Sequence, residues 1–394
     1  MSEGRCHVCG EEALEVIREF SSLMQVTSDC RPWRRGGTLA VCAACGSVQK
    51  RVDAAWKTQA EEIYRGYALY PQGGGAEQGT FDSAGAKPTP RSRRLLERLT
   101  HDVAVPEHGR LLDIGCGNGG LLRAFHELRP WWELEGTEFD ERDGAAIQAL
   151  PGVRGFHTCP PWDVPGRFDL IALMHVLEHI AEPIPFLRRL ANKLAPGGRL
   201  MVESPNVTEN PFDLLIADHA THFNLETLSW LLAKAGYDFN RVACDWVPKE
   251  LSALVREAST GSVPVSRHAS IPLAVCIHAV AWLDAIRRAG RDAAAHANGM
   301  RFGIFGTSIA GSWLHAEIGA ADFFVDEDEE RIGRSFLGRP VLAPASIDPG
   351  AIIYVALVPN AARTVAARCE RPGVTYLAPP ELDEPDRMAQ HSAR

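Results

Sequence analysis

The segment DHATHFN sets Asp218 and His219 side by side, with His222 three residues on. A histidine beside a carboxylate can take a proton as a general base, its partner orienting the ring. Two histidines so spaced can also form half of a metal site, or can simply pack in a loop. No further group of ligand-type residues stands near them, so a metal site is the weakest of the three.

A second set of reactive side chains lies at the front. CHVC supplies Cys6 and Cys9, CAAC supplies Cys42 and Cys45, and each pair is followed by a glycine. Two such turns offer four thiolates to one tetrahedral ion, and a site closed by four sulfurs has no position left for substrate. The expectation is a structural zinc, with a redox pair as the alternative. His7 is expected to point away from the ion, and Cys30 is a spare thiol.

The third set is LLDIGCGNGGLL, in which Asp113 precedes Gly115, Cys116, Gly117, Asn118 and Gly119. Glycines here let a backbone approach a ligand closely where a strand runs into a helix. Glu138 follows about twenty residues on, after the next strand, where an acid can accept hydrogen bonds from ribose hydroxyls. Alone, G-x-G-x-G serves a dinucleotide or a tight turn equally.

These residues need elements to hold them. RLLDIG, WELEGTEF, FDLIALMHV and GGRLMVESP read as strands, with GLLRAFHEL and PIPFLRRLANKL as helices between them. Strands alternating with helices predict a parallel sheet covered on both faces. A long helix over about 268–298 precedes a second unit of the same rhythm, with FGIFGTSIAG, Gly306 and later Asp326. That unit suggests nucleotide binding or a purely structural half-domain. The fold class is therefore α/β, a doubly wound, Rossmann-like and mostly parallel sheet, with a small N-terminal zinc module and a C-terminal Rossmann-like domain. The expected boundaries are 1–85, 86–255 and 256–394, ending in a frayed tail.

The 394 residues carry a formal net charge of -9, which argues against nucleic acid or an acidic membrane as the main partner. Arg91, Arg93 and Arg94 read as a solvated helix face. The N-terminus lacks the basic-then-apolar pattern of a signal peptide, and IPLAVCIHAVAWLDAI is short for a bilayer crossing. A cytoplasmic location follows as the expectation; the oligomeric state stays open.

With VLEHI and LAPGGRL downstream, the motifs over about 86–240 resemble class I S-adenosylmethionine-dependent methyltransferases. The resemblance implies that the amino acid part of S-adenosylmethionine sits at Asp113 and the loop Gly115–Gly119, and the ribose at Glu138. Met174 and His175, ending FDLIALMH, would line the same pocket. The adenine would follow the third strand, where FHTCPPWDVP lacks an obvious acid and Trp162 is the candidate. A site for NAD is the alternative.

The order of cysteine module, methyltransferase core and further α/β domain resembles the sugar C-methyltransferases that act on nucleotide-linked 4-ketosugars. That resemblance implies a small-molecule nucleotide-sugar substrate, with its nucleotide held by the C-terminal domain. It implies His219 as the base that forms an enolate, tuned by Asp218 where the family has glutamate. His179 would be a second active-site histidine, and Tyr67 and Tyr70 would cover the pocket. His222 replaces the family's tyrosine, and PQGGGAEQG replaces its serine-rich run. Methylation of oxygen therefore stays open beside methylation of carbon. A nucleotide-dependent oxidoreductase and a zinc-based binding module are alternatives of other classes.

Overall fold

A computed structural model of the protein describes residues 4–77, 79–80, 88–258, 273–297 and 299–382. The expected tail from 383 onward, the loop opening the third segment and residues 81–87 lie outside the described residues.

The N-terminal segment supplies strands β1 (Leu14–Ile17), β2 (Leu39–Cys42) and β3 (Val48–Lys50), then helix α1 (Ala54–Arg65). Asp53 caps α1 by accepting a hydrogen bond from the Trp56 N–H, which satisfies one of the helix's free donors. The centre begins with helix α2 (Arg91–Asp102) and strand β4 (Gly109–Ile114). It continues through α3 (Gly120–Leu128), β5 (Trp132–Thr137), β6 (Val153–His157), β7 (Phe168–Met174), α4 (Pro183–Ala191) and β8 (Leu194–Pro205). The short β9 (Thr221–His222), α5 (Leu225–Ala235), β10 (Tyr237–Ala243) and β11 (Glu250–Glu257) complete it.

The central sheet has seven strands in the order β6-β5-β4-β7-β8-β11-β10. The first five run parallel, and β11 lies antiparallel to both neighbours. The near-continuous apolar run of β7 is what a strand covered on both faces requires. One face packs Leu96 and Leu99 of α2 and Leu122 and Phe125 of α3 against Leu111 and Leu134. The other packs Leu187 and Leu190 of α4 and Leu228 and Leu231 of α5 against Ile171 and Leu200. Strand order reverses between β4 and β7, the crevice where open α/β sheets bind ligands.

The third segment comprises α6 (Leu273–His296), β12 (Phe302–Phe305), α7 (Ile309–Ile318), β13 (Phe323–Val325) and β14 (Ser335–Phe336). After these come β15 (Arg339–Leu342), β16 (Ile352–Val355), α8 (Pro359–Arg368) and β17 (Thr375–Leu377). Its six-stranded sheet runs β14-β15-β13-β12-β16-β17, with only β14 antiparallel to its neighbour. A side chain on Gly311 would begin 1.9 Å from the Gly306 carbonyl oxygen, so α7 can approach β12 only with glycine there. Gly311→Ala is expected to destabilise the protein by about 3 kcal/mol or more, as overpacking against backbone does. Thermal unfolding of the variant checks this.

The three stretches of sequence interleave in space. β9, from the segment after β8, is the fourth strand of the N-terminal sheet, in the order β1-β2-β3-β9. Thr221 pairs with Gln49 and His222 with Val48. Phe20 and Leu23 share one apolar core with Phe212, Leu283, Ile286 and Trp313. Among the described residues no helix is long and apolar enough to cross a membrane.

Candidate functional site

A cleft of about 1590 Å³ opens at the carboxyl ends of β4 and β7 and takes wall residues from all three stretches. Tyr64, Tyr67 and Tyr70 come from the N-terminal segment, the Gly306–Ser308 turn and Asp326 from the C-terminal one. Tyr67 and Tyr70 are the two that the sequence anticipated. Tyr64 it missed; this residue lies in the last turn of α1, and Tyr67, just past the helix end, sets its ring 5.9 Å away.

At the glycine loop, Gly115, Gly117 and Gly119 hold φ of 68°, 54° and 80°, a region that side chains rarely enter. The Gly115 and Cys116 N–H groups donate to the Thr137 carbonyl, and Gly117 N–H donates to Glu138 Oε1 at 2.7 Å. Asp113 is buried, and its Oδ1 has no hydrogen-bond partner. Burial, then the charges of Glu138 and Glu77, push its carboxyl well above the usual range. Asp113, Gly115, Cys116, Gly117, Asn118, Glu138, Met174 and His175 all line the cleft.

Gly119 and Trp162 are not part of this wall. Gly119 is the N-cap of α3, and a side chain there would meet Leu150 rather than open space. Trp162 stacks under Arg189 and against Phe186 instead, and the wall after β6 consists of Thr158, Cys159, Pro160 and Pro161.

Arg91 is not on a solvated face. Its guanidinium turns inward, donating to His175 Nε2 at 2.8 Å and pairing with Glu250 at 3.3 Å. His175 takes a left-handed φ of 54°, with Nδ1 3.2 Å from Glu178 Oε1. Such a conformation persists only where surrounding contacts enforce it.

The histidines lie one layer deeper. His179 and His219 line the cleft with ring centroids 4.6 Å apart, edge to face. His222 and Asp218 do not reach the cleft; both are fully buried behind it. Asp218 is also not the carboxylate that meets His219. It accepts from the Ser28 N–H at 2.9 Å and the Ser28 hydroxyl at 2.5 Å, and lies 3.5 Å from His179. Adjacent residues project their side chains in different directions, so proximity in sequence does not make a pair.

The carboxylate at His219 is Asp213, from the short helical turn Pro211–Leu215. Its Oδ1 is 2.8 Å from His219 Nδ1, and its Oδ2 accepts from His222 Nδ1 at 2.6 Å. For His219, burial opposes the charged ring, but Asp213, Glu178 and Asp218 outweigh it and the ring's affinity for a proton rises. His222 is pushed down to about 4, burial winning over the same carboxylate. His179 is also lowered, by burial and by the neighbouring His219. Asp213 was legible in principle: it is a lone acid in the apolar run PFDLLIA just ahead of the histidines.

The four cysteines meet as the spacing predicts, with all sulfurs within 4.8 Å of one another. Cys6 and Cys45 Sγ are 3.7 Å apart, Cys9 and Cys42 Sγ 3.6 Å. Gly10 and Gly46 adopt the left-handed φ that closes each turn. His7 points away from the sulfurs, its Nε2 2.7 Å from the Thr221 hydroxyl.

Residues 90–241 match the family model of a methyltransferase domain. The ubiquinone biosynthesis O-methyltransferase of Xanthomonas campestris pv. campestris (strain B100) is 28% identical over 177 residues. The match covers 41% of this chain and 66% of that one. Its counterpart in Xylella fastidiosa (strain 9a5c) is 31% identical over 169 residues, covering 39% and 62%. The chain thus spans somewhat under two thirds of the length of the curated relatives it matches. The SAH-bound structure of CalO1, a methyltransferase in calicheamicin biosynthesis, aligns with a TM-score of 0.36 and 19% identity, covering 43% of this chain and 54% of that one. With the domain match, the strand order and the glycine loop on β4, residues 90–241 constitute a methyltransferase domain of the S-adenosylmethionine-dependent, Rossmann-like class.

Proposed function

We propose that this protein methylates a carbon next to the ketone of a nucleotide-linked ketosugar, using S-adenosylmethionine. The observation that carries the reading is one cleft shared by the glycine loop, the His179–His219 pair and the Gly306–Ser308 turn. The residues fit the cofactor: an orphaned buried oxygen on Asp113 suits an ammonium group, and the left-handed glycines leave room for its approach. S-adenosylmethionine supplies, when bound, an electrophilic methyl group on a sulfonium.

In this reading His219 takes the proton alpha to the ketone through Nε2, because Nδ1 is turned to Asp213. The electron pair passes to the ketone oxygen, which needs a donor nearby. Tyr67 and Tyr70 line the same cleft and are the candidates for that donor, and His179 stands beside the base. Asp218 contacts His179, through its backbone carbonyl at 3.0 Å and its carboxylate at 3.5 Å, and reaches His219 only through its charge.

For the nucleotide, the N-terminus of α7 supports the reading. Ser308 makes no side-chain cap there, so the first N–H groups of the helix stay available to an anion. Thr307 is fixed by donating to Asp326 at 2.5 Å and accepting from Arg331 at 3.0 Å. Zinc fits the cysteines: tetrahedral arms of about 2.3 Å give sulfur separations of about 3.8 Å, close to those observed.

One observation favours O-methylation as a second reading: the curated relatives are named O-methyltransferases. Calorimetry with S-adenosylhomocysteine, followed by nucleoside diphosphates, separates the two. The expected result is a nucleoside diphosphate binding beside the cofactor product, weakened about tenfold or more by Gly306→Val, whose φ of 102° a branched side chain resists. Cofactor binding without any nucleotide binding would leave O-methylation of another small acceptor.

A further inference from the structure

Asp213 has no role in the motifs that point to methyl transfer, yet it occupies the centre of the buried polar layer. Both of its oxygens face imidazole Nδ1 atoms, His219 at 2.8 Å and His222 at 2.6 Å. All three side chains are buried. Behind them lies Lys50, also buried, whose ammonium donates to the Leu214 carbonyl at 2.6 Å. Lys50 ends β3, and β3 pairs with the strand that carries His222. The carboxylate is therefore gripped from two directions, by its own turn and by a sheet anchored at the cysteine cluster.

We infer that Asp213 is the positioning residue for the base, holding His219 with Nε2 toward the cleft, while His222 holds Asp213. This rests on the assignment of His219 as base. Asp213 Oδ1 stands at ion-pair distance from His219 Nδ1, and a carboxylate there favours the tautomer with hydrogen on Nδ1 and leaves Nε2 to take a proton, while His222 Nδ1 donates to the other carboxylate oxygen. Rotation of His219 about its side-chain bonds would cost that contact in a site from which water is excluded. His222 serves as a neutral donor, since burial and the adjacent Lys50 both oppose a second positive ring there. One carboxylate then offsets one imidazolium, formed only when His219 takes its proton.

Other charged groups face the same ring. Glu178 and Asp218 favour its protonated form, His179 opposes the charge from 4.6 Å, and Tyr64 lies beyond His179. Asp213 is distinguished from these by direct contact at Nδ1. Asp218→Asn is accordingly expected to act on His179 first, through the 3.5 Å contact.

The test is histidine titration by nuclear magnetic resonance on the full chain bound to S-adenosylhomocysteine. His219→Asn identifies the His219 signal. In Asp213→Asn that signal's midpoint is expected to fall by about one to three pH units, as loss of an adjacent charge does, and in Asp218→Asn to fall less. Retained S-adenosylhomocysteine affinity shows that each variant is folded. If Asp213→Asn does not fold, the wild-type nitrogen spectrum decides, because His219 and His222 must both carry hydrogen on Nδ1. A His219 midpoint unmoved in Asp213→Asn, or hydrogen on Nε2 of neutral His219, overturns the inference. Methyl transfer is expected to fall about 100-fold in Asp213→Asn, with partial recovery in Asp213→Glu. Should His219→Asn transfer methyl groups at full rate, the base assignment fails, while the titration still decides what Asp213 does to the ring.

Discussion

Replacing His219 by asparagine is expected to lower methyl transfer by about 10²–10⁴-fold, the range a positioned general base contributes. Asparagine is the informative choice because its amide can still donate to Asp213, which would otherwise keep an uncompensated charge in the interior. Affinity for S-adenosylhomocysteine should stay within about twofold, since Asp113, the glycine loop and Glu138 lie on other elements of the cleft. The pH profile adds a signed expectation. The active form is the neutral ring, and Asp213 raises its affinity for a proton above that of a free imidazole. The rate should therefore climb with pH and level off only above about 6.5. A variant rate equal to that of the wild type would remove His219 from the chemistry.

Removal of the zinc proposed for the cysteine cluster is expected to be the largest structural effect. Structural zinc sites of this kind contribute on the order of 10 kcal/mol to folding in small modules. Here the consequence should travel. Gln49 donates to Cys6 Sγ at 3.0 Å and pairs across the sheet with Thr221. The next residue, Lys50, donates its N–H to the Ala220 carbonyl. Cys42→Ser, or exposure to a chelator, should release about one zinc per chain, and amide hydrogen exchange should speed up at residues 39–50 and at 220–222. Methyl transfer should fall with it, because His219 stands one residue ahead of this stretch. Preserved exchange protection at 220–222 in a zinc-free protein would disconnect the module from the site. A pair of disulfides in the isolated protein would replace zinc altogether.

Such a coupling would explain why a four-cysteine cluster accompanies this domain. β9 has only two residues, and a strand so short is marginal by itself. Joined to β3 it becomes the edge of a four-stranded sheet, and the segment bearing Asp218, His219 and His222 is pinned between that sheet and the turn that holds Asp213. The Ser28 contacts to Asp218 pin it from a second part of the same N-terminal segment.

What the sequence determined by itself is local. The alternation of apolar strands with amphipathic helices sets a parallel sheet, because period and burial are read over a few residues. The glycines at 115, 117 and 119 announce left-handed backbone, and the two C-x-x-C pairs announce a four-sulfur cluster, because each is a property of a short turn. His219 was recognisable within its own motif. The tertiary structure alone decided which acid serves which histidine. Asp218, next in sequence, turns to Ser28 and His179, while Asp213, six residues earlier, meets both His219 and His222. It alone brought Arg91 out of a charged run and into contact with His175 and Glu250, and it alone joined β9 to the N-terminal sheet. Spacing along the chain fixes backbone conformation, but the partner of a buried side chain depends on which distant elements pack around it, and no short-range pattern encodes that.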